Sequence, residues 1–501
     1  MDKKRLFISL ITASITSLII FFVSNDFGIT WDEPVYMRNA GRIMNWLNHP
    51  TLDDIEKFFA PTPGDIHPPF GKLTIGLTHE FVTNNLKVID NTRGFRISSL
   101  LFVFPFITVL TYTAIGQFGF FIGTLVPFMF SFLPHALFLT PLAALDYAIT
   151  ALWFIAVITV MKGIRHNAWL VLSGMVTGLA MLTKLHGFLL FIPIVGFIIW
   201  TRPRDTVKKI VIVVSTAFTV YIAGWPWLWT NTLNHIGEYI RLQTVHGGVT
   251  EYVFGQRYDF APWWYTSVMF LTTTPAFILI LFVIGSYKAI RNGTLWDRFI
   301  LLNAFYPIIF FSLPGVVRYD WVRLFLPAFP FVALVGGRGA VYISNIFGNK
   351  YRVMVLMGLF TAWAVTLYFS VIRIHPWESA YYNEFVGGVQ GAHKLGMESE
   401  FWGNSYLGVL PWMNSHKADM MCVPFTTAAV DYYQAMGQIE AGVVFGATGD
   451  TCRYAIILMR QGYIYRDPEI YTLLTSRKPV YTVSVDGVPL VGVYDKKNVK
   501  E

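Results

Sequence analysis

The sequence predicts a mainly α-helical, polytopic membrane protein with a small α/β domain at its C-terminal end. Of its 501 residues, 54% are hydrophobic and only 14% are charged, and the mean hydropathy is +0.50. A typical soluble domain has about 25% charged residues, so this composition indicates a membrane protein. Apolar runs recur up to residue 373, whereas residues 374–501 alternate between strand and helix patterns.

The apolar runs have the length that membrane-spanning helices need. The first, at residues 6–23, follows a basic start, and a bilayer core requires about 20 residues. The segment 25–28 (Asn-Asp-Phe-Gly) is not a small-residue cleavage site, which favours a retained helix over a signal peptide. Ten further runs follow, at residues 94–114, 117–139, 141–161, 168–185, 187–201, 209–229, 263–287, 299–313, 322–337 and 353–373. The sequence therefore predicts about eleven transmembrane helices.

Charged residues in the short connections predict the orientation. With the N-terminus in the cytoplasm, only three acids fall inside, namely Asp2, Asp205 and Asp297. An odd number of spans then places everything after residue 373 outside. The net charge of +8 therefore reflects topology and gives no support to nucleic-acid binding. The basic residues that fall inside are Lys3, Lys4, Arg5, Lys162, Arg165, Arg202, Arg204, Lys208, Lys209, Lys288, Arg291, Arg298, Arg338, Lys350 and Arg352.

Two regions are predicted along the chain. Residues 1–373 form a transmembrane module whose first outer loop, 24–93, contains two amphipathic helices. Residues 374–501, called the tail below, form a soluble extracytoplasmic α/β domain. An Asp-Gly pair at 486–487 between apolar runs indicates a hairpin. The predicted strands of the tail lie at 419–425, 442–445, 454–459 and 480–493, and its helices at 428–436 and 467–476.

Both cysteines, Cys422 and Cys452, lie in the tail. If the tail is extracytoplasmic, it occupies a compartment in which disulfides form and persist. The sequence therefore predicts that Cys422 and Cys452 pair with each other. Two buried free thiols are the alternative, because unpaired cysteine is commonly buried.

Two adjacent acids, Asp32 and Glu33, follow the first predicted span and precede Pro34. A transfer reaction to a hydroxyl acceptor needs a carboxylate that takes the acceptor proton. A carboxylate at the membrane surface can serve an acceptor in water and a donor in lipid. The alternative is that these acids only complement a helix dipole, because proline is typical of a first helical position.

The segment 65–72 (Asp-Ile-His-Pro-Pro-Phe-Gly-Lys) forms a second polar cluster. Its two prolines fix the backbone and prevent a helix from starting before Phe70. Asp65, His67 and Lys72 are therefore expected on a stiff turn near the membrane. The alternative is a structural turn with a solvated charge at each end.

Further ionisable residues stand at the ends of predicted spans, where charge is costly and usually functional. In the predicted topology they lie at outer ends, where together they would line one outward-facing cavity. Arginine and lysine are suited to bind a phosphate leaving group. Each of these residues alone could instead snorkel to the interface. They are Arg93, Arg96, Asp146, Lys184, Arg318 and Arg323.

These segments resemble a known group of enzymes. The segment 30–36 (Thr-Trp-Asp-Glu-Pro-Val-Tyr) resembles the Asp-Glu motif in the first outer loop of the GT-C superfamily glycosyltransferases. The segment 65–72 is similar to Asp-Val-His-Pro-Pro-Leu-Gly-Lys of the protein O-mannosyltransferases. Arg96, Asp146 and the segment 178–184 (Gly-Leu-Ala-Met-Leu-Thr-Lys) stand where that family and the aminoarabinose transferases have similar elements. The resemblance covers residues 25–190, and Arg323 lies in a weaker continuation.

The resemblance implies a GT-C fold and an inverting transfer of sugar from a polyprenyl-phosphate donor to a hydroxyl group. The acceptor would be a protein, lipid or glycan on the extracytoplasmic face. Asp32 would be the general base, and Glu33 would support it or contact the acceptor. The residues implied in donor binding or in shaping the site are Asp65, His67, Lys72, Arg96, Asp146, Lys184, Arg318 and Arg323.

The sequence also departs from both families. The predicted second outer loop, 230–262, is too short for the β-trefoil domain of the protein O-mannosyltransferases. Ile66 and His67 replace a Glu-Lys pair of the aminoarabinose transferases, so a metal role of that glutamate does not carry over. No cofactor is predicted, and a divalent metal is possible but has no ligand motif.

The segment 378–403 looks like that of prokaryotic members with a C-terminal outer domain, which predicts the prokaryotic plasma (inner) membrane as the location. Two other functions stay open at this point. One is a transporter or flippase of lipid-linked sugars, which would place charges near mid-membrane in related halves. The other is a non-catalytic envelope assembly protein.

Overall fold

The structure is a computed structural model, and it describes residues 2–62, 64–244, 248–446 and 451–497. Helices dominate the part up to residue 372. They are α1 (Lys3–Val23), α2 (Glu33–Asn48), α3 (Ile55–Phe59), α4 (Phe70–His79), α5 (Asn91–Arg96), α6 (Leu100–Phe118), α7 (Phe120–Ser131), α8 (Pro134–Leu139), α9 (Asp146–Gly163), α10 (Asn167–Met181), α11 (Phe191–Thr201), α12 (Thr206–Ala223), α13 (Thr232–Thr244), α14 (Tyr265–Thr273), α15 (Ala276–Asn292), α16 (Leu295–Phe311), α17 (Phe329–Ile346) and α18 (Gly348–Leu367). Single 3-10 or π-helical turns extend or join several of them, at Glu80–Asn85, Ile97–Ser99, Leu185–Leu190, Pro226–Trp229, Arg323–Ala328 and Tyr368–Ile372.

Each of the eleven predicted spans coincides with helix, but fewer helices could cross a membrane in one straight piece. Among the described residues, six have the necessary length and apolar composition, and the count is seven if the bent pair α14 and α15 forms one span. Three further apolar helices, α7, α10 and Leu185–Thr201, are shorter. A sequence run records apolar composition, whereas breaks inside it appear only in the structure. The chain is an integral membrane protein with a mainly helical fold.

Burial separates central helices from peripheral ones. In α9, 83% of the apolar window is buried, and the value for Arg323–Ile346 is 89%. The corresponding values for α1 and for Gly348–Ile372 are 28% and 11%. A helix that is apolar on all sides can be buried by other helices or face lipid. Helix α9 and the segment Arg323–Ile346, which contains α17, therefore form the centre of the bundle. Their first residues, Asp146 and Arg323, belong to the candidate site described below.

The tail carries a five-stranded mixed sheet with the strand order β4-β3-β5-β7-β6. Strand β3 is parallel to β4 and β5, whereas β7 is antiparallel to β5 and β6. A separate hairpin, β1–β2, precedes the tail. The strands are β1 (Glu251–Val253), β2 (Gln256–Tyr258), β3 (Met421–Val423), β4 (Val443–Phe445), β5 (Tyr454–Leu458), β6 (Tyr481–Val485) and β7 (Val488–Asp495). The helices of the tail are α19 (Gly388–Lys394), α20 (Leu410–Ser415), α21 (Thr427–Ala435), α22 (Gln461–Ile464) and α23 (Pro468–Ser476).

The sequence predictions for the tail agree with these elements. The predicted strands coincide with β3 to β7, and the Asp-Gly turn at 486–487 connects β6 to β7. The predicted helices coincide with α21 and α23. Two adjacent positive φ angles, at Asp486 (50°) and Gly487 (77°), produce the tight turn that this pair favours. The boundary at residue 374 stays a prediction.

The first loop and the sheet share one apolar core. On the loop side it contains Ile29 and residues of α2, and on the tail side it contains residues of β3, β5 and β7. The Ile29 amide donates to the Tyr433 hydroxyl (2.7 Å), and the Trp31 amide donates to the Trp402 carbonyl (2.9 Å). These contacts hold the start of α2 against the tail, so that Asp32 lies at their junction.

Glu33 and Arg96 form a buried ion pair that ties the first loop to the bundle. Arg96 donates through Nε and Nη2 to the Glu33 carboxylate at 2.8 and 2.7 Å. The same guanidinium donates to the carbonyls of Ser24, Phe27 and Gly28. Ala143 and Thr30 donate to Glu33 as well. Neither side chain lines the cavity of the candidate site described below, because each is bound by the other and by backbone groups. The catalytic role of Glu33 and the donor-binding role of Arg96 stay predictions that this pairing does not support.

Cys422 and Cys452 are joined by a disulfide with a Cα–Cα distance of 5.6 Å. The parallel pairing of β3 with β5 brings the two residues together, because Cys422 lies on β3 and Cys452 lies just before β5. The bond closes a loop with a sequence separation of 30 residues.

We expect the variant Cys422→Ala/Cys452→Ala to lower the free energy of unfolding of the tail by about 3 kcal/mol, because the unfolded chain loses its closed loop. Urea titration of the detergent-purified protein measures this change. Non-reducing peptide mapping of the wild type is the direct check. Alkylation of both cysteines without prior reduction would contradict the bond.

We expect Glu33→Ala to lower the free energy of unfolding by about 3–5 kcal/mol, because it leaves the buried Arg96 guanidinium without its counter-charge. The matched control is Glu440→Ala, which removes the exposed partner of Lys417 and costs about 0–1 kcal/mol. Denaturant titration of the three proteins in one detergent compares the effects. Equal stabilities of the two variants would contradict a structural role for Glu33.

Candidate active site

A cavity of about 480 Å³ lies where the first loop, several helix ends and the tail meet. It is called the main cavity below. Polar and aromatic side chains dominate its wall, and they come from segments far apart in the sequence. The lining residues are Trp31, Asp32, Tyr36, Gly64, Ile66, His67, Lys184, Leu242, Val249, Tyr319, Asp320, Arg323, Trp402, Arg460 and Tyr463.

Asp32 places its carboxylate in the wall of the main cavity. It is the N-cap residue of α2, but its side chain makes no capping hydrogen bond and is 26% exposed. Its Oδ2 accepts a hydrogen bond from Arg323 Nη2 at 2.5 Å. Burial raises the pKa of the Asp32 carboxyl above its ordinary value, and the charge of Arg323 opposes that shift. The carboxylate is thus available to the cavity and is not used to cap the helix.

Arg323 connects three carboxylates around this cavity. Besides Asp32, it donates through Nη1 to Asp320 Oδ2 at 2.5 Å, and its Nη2 lies 3.6 Å from Asp146 Oδ2. The guanidinium lies over the Trp402 ring, 3.9 Å from the ring centroid. Its Nε is buried and has no hydrogen-bond partner among the described residues. The side chain is therefore held rigidly but keeps unused donor capacity.

Lys184 and Asp146 form a buried pair beside Arg323. The Lys184 ammonium lies 2.8 Å from Asp146 Oδ1, and Lys184 also lines the main cavity. Asp146 is the first residue of α9, where the helix dipole favours a negative charge. Lys184 follows α10 at a break before the next helical turn. The two helix ends therefore bring one acid and one basic side chain to the same point, although of the two only Lys184 lines the main cavity.

The turn at 65–72 presents His67 to the main cavity. Asp65 accepts hydrogen bonds from Lys72 Nζ (2.8 Å), Asn39 Nδ2 (2.6 Å) and the His67 amide (3.1 Å). Lys72 also donates to the His67 carbonyl at 2.6 Å. Burial, followed by the charge of Lys184, lowers the pKa of His67 well below its ordinary value, so that its imidazole is neutral at pH 7.

Asp65 and Lys72 themselves are buried outside the main cavity. Their pairing shapes the turn, which fits the prediction for Asp65. A direct contact of Lys72 with the donor is not supported, because the Lys72 ammonium is occupied by Asp65 and the His67 carbonyl.

Arg318 does not line the main cavity. It donates to the carbonyls of Leu313 and Val316, just after the end of α16. A cation there satisfies carbonyls that a helix end leaves free. The predicted donor-binding role of Arg318 is therefore not supported. Two other residues of this turn, Tyr319 and Asp320, line the cavity, and Asp320 has a positive φ of 52°.

Several residues of the cavity were not predicted from the sequence. Arg460, from the tail, donates to Asp320 Oδ1 (2.9 Å) and lies 3.6 Å from Glu251 Oε1. Glu251 in turn accepts hydrogen bonds from the Asp320 amide and the Tyr265 hydroxyl. Asp320 lies between Arg318 and Arg323, two residues that the sequence analysis proposed, and this position was the only sequence feature that could have indicated it. Arg460 and Glu251 have no local motif, because only the fold brings the tail and β1 to this site.

In the described ranges, no group of three or more histidine, cysteine, aspartate or glutamate side chains could hold a metal ion. The acids at the site are instead surrounded by Arg323, Lys184 and Arg460.

Part of this chain matches a known protein family. The family described as dolichyl-phosphate-mannose-protein mannosyltransferase matches residues 66–229. The matched segment includes His67, Asp146 and Lys184. Comparison with curated proteins finds no significant match.

The fold is similar to that of ArnT from Cupriavidus metallidurans. In the structure with undecaprenyl phosphate bound, the identity is 13%, the TM-score is 0.52, and 96% of this chain and 97% of that chain are covered. The apo structure of the same protein has the same identity and coverage and a TM-score of 0.53. The oligosaccharyltransferase from Archaeoglobus fulgidus in the apo form has 10% identity and a TM-score of 0.47, with 91% of this chain and 70% of that chain covered.

The likeness to ArnT extends over nearly the whole chain and shows the fold. The family match includes three residues of the cavity wall, namely Ile66, His67 and Lys184. The resemblance of the segment 65–72 to the protein O-mannosyltransferases is confirmed by the family match, which begins at residue 66, whereas the motif at 30–36 lies outside that match. The chain therefore has the fold of ArnT, and its residues 66–229 match the dolichyl-phosphate-mannose-protein mannosyltransferase family.

Proposed function

We propose that the chain transfers a sugar from a polyprenyl-phosphate donor to a hydroxyl group, with inversion at the anomeric carbon and Asp32 as general base. The supporting observation is that the Asp32 carboxylate and the cations of Lys184 and Arg323 face one cavity. A base and a phosphate-binding pair are the two elements that this reaction needs. The resemblance to polyprenyl-phosphate-dependent transferases is consistent with this chemistry.

In the proposed reaction, the acceptor oxygen attacks the anomeric carbon while the bond from that carbon to the phosphate oxygen breaks. The electron pair of the broken bond leaves with the polyprenyl phosphate. The acceptor proton passes to Asp32, whose partly exposed carboxylate can approach a hydroxyl group in the cavity. A single displacement of this kind inverts the anomeric configuration.

Lys184 and Arg323 would stabilise the charge that develops on the leaving phosphate. In the structure, Arg323 Nη2 donates to Asp32. A bound phosphate would compete with Asp32 for this donor, so donor binding would release the carboxylate to act as base. Asp146 and Asp320 would hold Lys184 and Arg323 in place throughout.

The tail would form the acceptor side of the site. Trp402, Arg460 and Tyr463 are the residues of the tail that line the main cavity. Aromatic side chains suit the apolar faces of sugars, and arginine suits polar or anionic acceptor groups. We place this side outside the cytoplasm, because Arg5 in the first turn of α1 and Lys162 in the last turn of α9 lie at the other end of the bundle. We infer a prokaryotic plasma membrane from the resemblance of the segment 378–403 to prokaryotic members.

We expect Asp32→Asn and Asp32→Ala to lower turnover by about 10²–10⁴-fold, because the acceptor proton loses its base. Mass spectrometry of the envelope of a deletion strain identifies the glycan, lipid or protein that loses a sugar. Restoration of that product by each variant then gives the activity.

The matched control is Asp53→Asn, an exposed acid of the same loop outside the cavity, which should restore the product fully. Full restoration by a correctly folded Asp32→Ala protein would disprove the base assignment. An envelope that loses no sugar on deletion would argue against the transferase itself.

We expect activity to fall at acidic pH as Asp32 becomes protonated. Because burial raises the pKa of Asp32, the loss should occur above the ordinary titration range of aspartate. Arg323→Gln removes the opposing positive charge, so the acidic limb of its residual activity should move to still higher pH. The control is Arg257→Gln, an exposed arginine outside the cavity. If the acidic limb of the pH–activity profile is the same in Arg323→Gln as in the wild type, the proposed pairing of Arg323 with Asp32 is wrong.

A further inference from the structure

A second cavity, of about 590 Å³, lies at the end of the bundle opposite the main cavity. It is called the basic cavity below. Helices α1, α6, α9, α10, α11 and α16 contribute to its wall. The lining residues are Arg5, Tyr112, Thr113, Gly116, Gln117, Ile158, Met161, Lys162, Arg165, His166, Trp169, Phe197 and Trp296.

Two helices connect the ends of the bundle. Asp146 is the first residue of α9 and belongs to the main site, whereas Lys162 is the penultimate residue of the same helix and lines the basic cavity. A helix of 18 residues is about 27 Å long, close to the thickness of a bilayer core. Likewise, Arg5 lies in the first turn of α1, and Asp32 follows the other end. The basic cavity is therefore separate from the proposed reaction.

Positive charge converges on this cavity without an acid in its lining. Arg5, Lys162 and Arg165 all line it, together with His166. The Arg5 guanidinium and the Lys162 ammonium approach the same Tyr112 ring, at 3.9 and 5.5 Å from its centroid. Two cations at one ring repel each other, so an anion bound between them would be stabilised.

The position of Arg5 is structurally defined. A Cβ atom at Gly116 would overlap the Arg5 guanidinium, so the absence of a side chain at Gly116 creates the space for it. Arg5 Nε is buried and lacks a hydrogen-bond partner among the described residues. The basic cavity thus contains the guanidinium of Arg5 in a defined position, and its Nε–H group is free to donate a hydrogen bond to a ligand.

Basic residues are expected at this end of a membrane protein in any case. Two others at this end have an acidic partner, whereas the rest, such as Lys288, have no acidic partner among the described residues. Lys209 pairs with Asp205 at 3.2 Å, and Arg338 pairs with Asp297 at 3.4 Å. No ion pair with an acidic side chain links Arg5 or Lys162 to the rest of the described residues, although both face a cavity. What sets Arg5 and Lys162 apart is that both line one cavity and approach one ring, that of Tyr112, which the orientation of the chain does not require.

We propose that the basic cavity binds the phosphate of an anionic phospholipid headgroup. The guanidinium of Arg5 and the ammonium of Lys162 would bind the phosphate oxygens. Trp169 and Trp296 suit the headgroup level of the bilayer. The apolar wall at Ile158 and Phe197 suits the start of an acyl chain. A lipid source is favoured over a free anion because this wall is apolar and lies at a membrane-spanning helix end.

The test uses the full-length protein, delipidated in detergent and titrated with phosphatidylglycerol, with phosphatidylcholine or with inorganic phosphate. Native mass spectrometry counts the bound lipid, and thermal unfolding reports its stabilising effect. We expect phosphatidylglycerol to bind and raise the unfolding midpoint, and the other two probes to have no such effect. The variant Arg5→Gln/Lys162→Gln should bind phosphatidylglycerol about thirtyfold more weakly, from about 1 kcal/mol per cation.

The matched control is Lys288→Gln/Arg291→Gln, which removes two cations from the end of α15, outside the basic cavity. It should retain the wild-type affinity. If the double variant at the cavity fails to fold, Lys162→Gln alone replaces it, because the Lys162 side chain is exposed.

Unchanged phosphatidylglycerol binding by the cavity variants would overturn the proposal, as would equal binding of phosphatidylcholine by the wild type. Displacement of the lipid by inorganic phosphate at low millimolar concentration would assign the site to a soluble anion and would overturn the lipid assignment. None of these outcomes depends on glycosyl transfer, so they leave the proposed function untouched.

Discussion

The burial of Arg323 among three carboxylates is the interaction on which the site depends. A buried charge is costly unless it is paired, and removal of one partner leaves the other uncompensated. Asp32 comes from the first loop, Asp146 from the start of α9, and Asp320 from the turn before α17. One guanidinium therefore fixes three separate segments. Arg460 extends the same network into the tail through Asp320.

The adjacent acids Asp32 and Glu33, at the start of α2, have different surroundings and different roles. Asp32, the N-cap residue, faces the main cavity, whereas Glu33, the first residue of α2, faces the bundle and binds Arg96. Successive residues of a helix point about 100° apart, so two adjacent acids cannot both face the same cavity easily. The buried Glu33–Arg96 pair holds the loop, and this positions Asp32. The same division holds in the turn at 65–72, where Asp65 and Lys72 hold the backbone and His67 faces the cavity.

The two ends of the bundle differ in charge for different physical reasons. At the proposed catalytic end, acidic and basic side chains surround one cavity, and the ion pairs between them offset the cost of burying their charges. At the other end, the basic cavity contains cations without acids, which suits an anionic ligand from the membrane. Helix α9 carries one residue of each end, Asp146 and Lys162, and its buried apolar body separates them.

The sequence by itself determined the membrane class, the positions of the helices, the strands of the tail and the motifs at 30–36 and 65–72. These depend on composition, period and local backbone restraint, which a single segment contains. It also indicated Asp32, Asp146, Lys184 and Arg323, because charge at a helix end is usually functional. His67 was indicated by its place in a turn that two prolines make stiff.

Only the tertiary structure decided which of these charges share the cavity. Glu33, Arg96 and Arg318 carry the same local signal as Asp32 and Arg323, yet they bind other protein groups. Asp320 and Arg460 enter the site through a turn and through the packing of a distant domain. A sequence pattern places charge at a helix end, but the direction of a side chain depends on partners that are hundreds of residues away.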